Sequence, residues 1–170
     1  TAHNFRVSTG GVASTATGNR NGTRWYELQN LNTTPTVVQS GTVFDSTATN
    51  PKHYWIPSIM VSGQGHAAMG FSAAGNTTAA SAAYTGRLAG DSAGAMQAPT
   101  IYAAGAGNYN PAADPGGASG RRWGDYSYTS LDPNDDMTFW TIQEFNDSLN
   151  SYGVRIVKLS PPPPATPSCR

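Results

Sequence analysis

The hydrophobic positions of this chain come in short bursts that alternate with polar ones and do not recur at helical spacing. Thr23-Arg24-Trp25-Tyr26-Glu27-Leu28 alternates along its length, and Thr36-Val37-Val38-Gln39 is β-branched. Further bursts run over 54–61, 66–72, 81–87, 97–103, 125–131, 137–145 and 152–159. Each is rich in aromatic or β-branched residues and bounded by Gly, Asn, Asp or Pro, the punctuation of strands. Only 79–83 has the composition of a helix. Its β-type neighbours and Gly86 make it an Ala-rich strand suited to a crowded layer. The pattern predicts an all-β chain.

A weak repeat runs through these bursts. Val61 to Met69 and Leu131 to Phe139 are the same step, 70 residues apart. Trp55 precedes the first and Trp123 the second, each followed by a Ser pair, Ser58-Ile59 and Ser127-Tyr128. A polar turn lies within each step, Ser62-Gly63-Gln64-Gly65 and then Asp132-Pro133-Asn134-Asp135-Asp136. A third strand closes each unit, at Tyr84-Thr85-Gly86-Arg87 and Val154-Arg155-Ile156-Val157. Strand-turn-strand-loop-strand units of this kind build the radial sheets of a β-propeller. The first unit reads as four strands and the second as three, with 3–45 as the outer part of an earlier blade. The expectation is a partial β-propeller of about two to three four-stranded antiparallel blades over 1–160. Closed propellers have about four to eight blades. The missing edges are therefore expected to be covered by N-terminal blades or by another protein chain.

Composition narrows the function classes. Ten Lys+Arg balance ten Asp+Glu for zero formal charge. That excludes a basic nucleic-acid face, a polybasic membrane anchor and an acidic tail. Leu, Ile, Val and Phe are only 24 of 170 residues, so the 8 Tyr, 5 Phe and 4 Trp carry much of the burial. No apolar run approaches the roughly 20 residues of a membrane span. Thr1-Ala2-His3-Asn4-Phe5 has neither the basic nor the apolar part of a signal peptide, so the chain reads as processed or as a fragment. Two lysines, abundant Thr, Ser and Asn, and a proline tail lean toward a secreted or cell-surface protein. Cys169 is the only cysteine, which leaves no internal disulfide and no cysteine metal cluster. Its segment, 161–170, opens with four prolines and reads as a stiff linker, or as a tail whose cysteine awaits another chain.

Three stretches are candidates for chemistry. In Arg122-Trp123-Gly124-Asp125-Tyr126-Ser127, Trp123 and Tyr126 can stack on a sugar while Arg122 and Asp125 hydrogen-bond its hydroxyls. The structural alternative plugs Trp123 between blades and has Arg122 neutralise a turn-forming Asp125. The three carboxylates within 132–136 suit either a calcium ion or a hairpin turn with solvated acids; the missing Gly and distal Glu of an EF-hand favour the turn. His3, His53 and His66 lack ligand spacing, so no metal or cofactor is expected. Asn21, Asn32, Asn76 and Asn146 head Asn-x-Ser/Thr sequons. The Ala/Gly/Pro/Asn stretch over 103–120 reads as a mobile surface connection.

Arg122 to Ser127, followed by Asp135-Asp136-Met137-Thr138-Phe139-Trp140, resembles the C-terminal blades of bacterial secreted proteins with sialidase-like (BNR/Asp-box type) β-propellers. Arg24-Trp25-Tyr26-Glu27, Trp55-Ile56-Pro57-Ser58-Ile59 and Tyr84-Thr85-Gly86-Arg87-Leu88 carry the same likeness, which extends over 23–159. The resemblance implies an extracellular, non-catalytic module or scaffold for surface, glycan or protein binding. It also implies an alternative, a sialidase-like glycoside hydrolase fragment, while the exposed edges of an incomplete propeller suggest another, a self-assembling structural component. A sialidase-like site would draw on Arg24, Arg87, Arg121 and Arg122 for a carboxylate. Tyr126 would be its nucleophile and Glu27 or Glu144 its base. The chain departs from the family where relatives carry a cysteine at the place of Met137, and where Ser130-Leu131-Asp132-Pro133-Asn134 begins an Asp box without its Gly or its Thr-Trp spacing.

Overall fold

The computed structural model describes residues 1–112 and 121–163, and among these the chain is all-β, without a helix. Strands β1 (Ala2–Val7), β2 (Arg20–Gln29) and β3 (Thr36–Val43) form the first sheet. The second holds β4 (His53–Val61), β5 (Ala67–Gly75), β6 (Thr78–Arg87) and β7 (Thr100–Ala103). The third holds β8 (Tyr128–Leu131), β9 (Phe139–Ser148) and β10 (Ser151–Leu159). Each sheet is an antiparallel meander in chain order, which short turns between neighbouring strands produce directly.

The three sheets stack face to face with the second in the middle. Its strand β4 meets β1 and β2 of the first sheet and β8 of the third, while β5 and β6 lie against β9. Strand β5 is therefore covered on both sides and is buried from Ala67 through Ala73. Its Met69, Phe71 and Ala73 join Trp25, Val43, Tyr54 and Ala83 in the apolar core toward the first sheet. Full burial of Phe71 and Met69 contributes about 2–3 kcal/mol each. The alternate residues Gly70 and Ser72 face the third sheet, where space is short: a Cβ on Gly70 would run into Thr141 and Gln143.

That second interface is polar. Thr129, Thr141 and Gln143 are each about 1% exposed. Thr129 Oγ1 lies 2.9 Å from Thr141 Oγ1 and donates to the Ser58 carbonyl at 2.9 Å, while Gln143 Nε2 donates to Thr141 Oγ1 at 3.0 Å. Small hydroxyl residues satisfied in this way let two sheets pack closely without large aliphatics.

The crossing from the first sheet to the second is clamped by backbone acceptors. Arg20, 1% exposed, donates to the carbonyls of Asp45 and Thr47. The Asp45 carboxylate accepts from the Thr47 and Lys52 amides at 3.0 and 2.9 Å and pairs with the Lys52 ammonium at 3.6 Å. Burial pushes the Asp45 pKa up, but these hydrogen bonds and the Lys52 charge outweigh it and hold the group at about 2.

The expected strands are present, with instructive differences. β1 was not anticipated, because Ala2–Val7 carries a polar-rich pattern that pairing with β2 makes a strand. The bursts at 97–103 and 125–131 shorten to Thr100–Ala103 and Tyr128–Leu131. The unit read as four strands forms the four-stranded second sheet and the unit read as three forms the three-stranded third sheet. The connection after β7 is not loose where it is described. Ala106 N donates to the Asn146 carbonyl at 2.8 Å, and Asn110 N to Asn150 Oδ1 at 2.7 Å, which tie it to the β9–β10 hairpin. Residues 113–120 and 164–170, Cys169 included, lie outside the described residues.

Gly70→Val should overfill the interface between the second and third sheets. The expected loss is about 1–3 kcal/mol, read from the urea midpoint. Gly90→Ala, at a glycine with nothing within 4 Å of the added carbon, should leave the midpoint unchanged.

Candidate functional site

The segment before β8 wraps the edge of the third sheet and brings the sequence-predicted residues Arg122, Trp123, Asp125 and Tyr126 to one pocket of about 380 Å³. Tyr109, Glu144 and Tyr152 complete its walls. Trp123 is partly buried and fixed on two sides. Its indole N–H donates to Ser72 Oγ on β5 at 3.1 Å, and Tyr109 meets its ring edge-on at 4.9 Å between centroids. Tyr152 in turn lies edge-on to Tyr109 at 6.5 Å. Tyr126 stands out at the rim, 88% exposed. The pocket is thus an aromatic wall with one anchored indole and one free phenol ring.

Gly124 makes the geometry possible. Its φ of +59° lies in the left-handed region, and a Cβ there would press on Ile56 Cδ1 at 2.8 Å. Ile56 itself has φ +53°, costly for a β-branched residue, at the irregularity between Trp55 and Ser58 in β4. Asn4 Oδ1 accepts from the Ile56 amide at 3.1 Å and helps to hold it there. Two unusual backbones therefore meet under the pocket floor.

The charges are placed unequally. Arg122 and Asp125 form an exposed ion pair at the rim. Glu144 projects from β9 into the pocket and accepts a hydrogen bond from the Gly124 amide. Burial raises the Glu144 pKa above the usual carboxylate range, and the Asp125 charge adds to that; the Gly124 bond offsets part of it.

Arg122 pairs with Asp125, and the half-buried Trp123 lines the pocket while reaching Ser72 of the second sheet. The remaining arginines do not gather here. Arg24 lies over Phe5 and donates to Thr42 Oγ1 in the first sheet. Arg87 is buried and donates to Gln39 Oε1 and to the carbonyls of Asp91, Ser92 and Ala95. Arg121 reaches Asn110. Glu27, also a candidate base, accepts from Gln39 Nε2 and lines a separate cleft beside Trp25. Tyr109 and Tyr152 were missed because they come from a Gly-rich connection and a hairpin end. Their spacing to Trp123 exists only in three dimensions.

The acidic stretch after β8 is a turn. Asp132 accepts from the Asn134 amide and from the Trp140 indole N–H, each at 3.0 Å, and Asp135 from the amides of Met137 and Thr138. Those donors favour the ionised form and lower both pKa values. Among the described residues no three His, Cys, Asp or Glu are grouped to hold a metal ion. The sequon residue Asn146 is fully buried, with its amide donating to the carbonyls of Ser148 and Ser151. Among the described residues no helix is long and apolar enough to cross a membrane.

Comparison with protein-family models, with curated proteins and with solved structures finds no match to this chain.

Gly124→Ala should cost about 1–2 kcal/mol, since it adds strain at positive φ and contact with Ile56. The expected readout is a lower urea midpoint together with a red-shifted Trp emission as Trp123 leaves Ser72.

Proposed function

We propose that this chain is a non-catalytic, extracellular glycan-binding module built from sialidase-like propeller blades. The observation that carries the binding role is the aromatic pocket. An anchored Trp123, flanking tyrosines, and a carboxylate and ion pair at hydrogen-bonding positions suit a pyranose ring, whose faces are apolar and whose rim is hydroxylated. The blade reading is supported by the stacking of successive sheets in chain order, with the first strands β1, β4 and β8 as neighbours. It gains support from the equivalent turns at 62–65 and 132–136, which lie side by side: Gly63 sits against the Asp136 carboxylate. The propeller is completed by N-terminal blades or by another chain.

Trp123→Ala should weaken oligosaccharide binding about tenfold or more, because the stacking surface is removed while the fold keeps its core. A glycan array followed by calorimetry on the best ligand checks this. Ligands that bind equally to wild type and variant would refute the assignment.

A second reading, assembly, is favoured by one specific surface. The outer face of the third sheet presents Tyr128, Val154 and Ile156, which are 62, 57 and 59% exposed, next to Trp140. Contiguous apolar faces of this kind mark interaction sites. If copies associate there, light scattering should give a multimer that Ile156→Lys converts to a monomer; a monomeric wild type at high concentration sinks this reading.

A further inference from the structure

We infer that the ligand of the aromatic pocket carries a positive charge, an ammonium group on a sugar such as a free amino sugar. This rests on the glycan reading above and adds the charge of the ligand to it. Within the pocket, Arg122 is matched by Asp125, so the pair offers little net field. Glu144 is the acid left over: it receives the Gly124 amide but makes no ion pair among the described residues.

The walls around Glu144 are the rings of Tyr109, Trp123, Tyr126 and Tyr152. Aromatic faces attract cations through their quadrupole, and a carboxylate beside them adds Coulombic attraction. On β10 the residue opposite Glu144 is Val154, which adds no charge. Arg155 is opposite Gln143, on the other face of the sheet, and lies over Phe145. No cation from the neighbouring strand therefore reaches the pocket to satisfy this acid.

Part-burial and the Asp125 charge make the Glu144 carboxylate costly when the pocket is empty, and a ligand ammonium would relieve that cost. The sign of the pH effect follows. The carboxylate form attracts the cation, so preference for a charged ligand is present when Glu144 is ionised. It is lost as pH falls through the raised pKa.

The test is calorimetry on the whole chain with three probes: a glucosamine tetramer, its fully N-acetylated counterpart, and choline, whose charge does not depend on pH. The glucosamine tetramer should bind roughly tenfold tighter than the acetylated one when its amines are protonated. Glu144→Gln should erase that preference and bring the two tetramers to equal affinity, while the glutamine carbonyl can still accept from Gly124 and keep the loop in place. Choline binding should decline toward acid in wild type and stay flat in the variant. Equal affinity for the two tetramers overturns the charge inference while the glycan reading stands. Failure of both tetramers to bind overturns both. A lysine peptide that outcompetes the glucosamine tetramer overturns the sugar as the source of the ammonium.

Discussion

Everything in this molecule depends on strand β5 being covered on both faces. Its sequence, Ala67 to Gly75, is mostly Ala, Gly and Ser around Met69 and Phe71. Small residues on one side let the third sheet approach to where Thr141 and Gln143 fill the space that a Gly70 side chain would need. The two large residues on the other side fill the core against Trp25 and Val43. A chain with few Leu, Ile and Val builds a stack this way, because close approach replaces bulk as the source of contact.

The same close approach creates the candidate site. Ser72 belongs to the small-residue face of β5, and its hydroxyl accepts the Trp123 indole N–H at 3.1 Å. The loop before β8 is thereby pinned to the middle sheet, not merely to its own. Gly124 and Ile56, both at positive φ, bring the loop and the β4 irregularity into contact below the pocket. Strain of this kind persists only when neighbours over-determine it. Here the neighbours are the Asn4 side chain, the Ser72 hydroxyl and the Glu144 carboxylate.

How much of this was legible depended on whether the signal was local. The hairpins β4–β5, β5–β6 and β9–β10 announce themselves by alternation and turn residues, and 79–83 reads correctly as strand because Gly86 and β-type neighbours flank it. Stacking order has no local signal; the turns around Gly63 and Asp136, some 70 residues apart, meet only in the fold. β1 was hidden because its register partners, Arg20 to Trp25, lie some twenty residues away. At the site, Arg122, Trp123, Asp125 and Tyr126 are contiguous and could be picked out together. Tyr109 and Tyr152 belong to other segments, and their partnership with Trp123 is a product of the fold. The connection over 104–112 misled for a related reason: its composition looks mobile, but its backbone is held by Asn146 and Asn150, residues far along the chain.

The treatment of charge follows from the polar interfaces. Arg20 and Arg87 are buried, yet carbonyl oxygens satisfy them, and among the described residues neither forms an ion pair. Backbone dipoles in fixed loops can stabilise a guanidinium without burying a second charge, which avoids part of the desolvation cost of a buried pair. The turn carboxylates Asp132 and Asp135 are taken up by amides and a hydroxyl of the turn and by the Trp140 indole of β9. Against that pattern Glu144 differs. It sits partly buried, accepts from the Gly124 amide, and lies among aromatic rings and beside a like charge. A partly buried carboxylate among aromatic rings and beside a like charge is costly to keep ionised, and a cationic ligand would offset that cost.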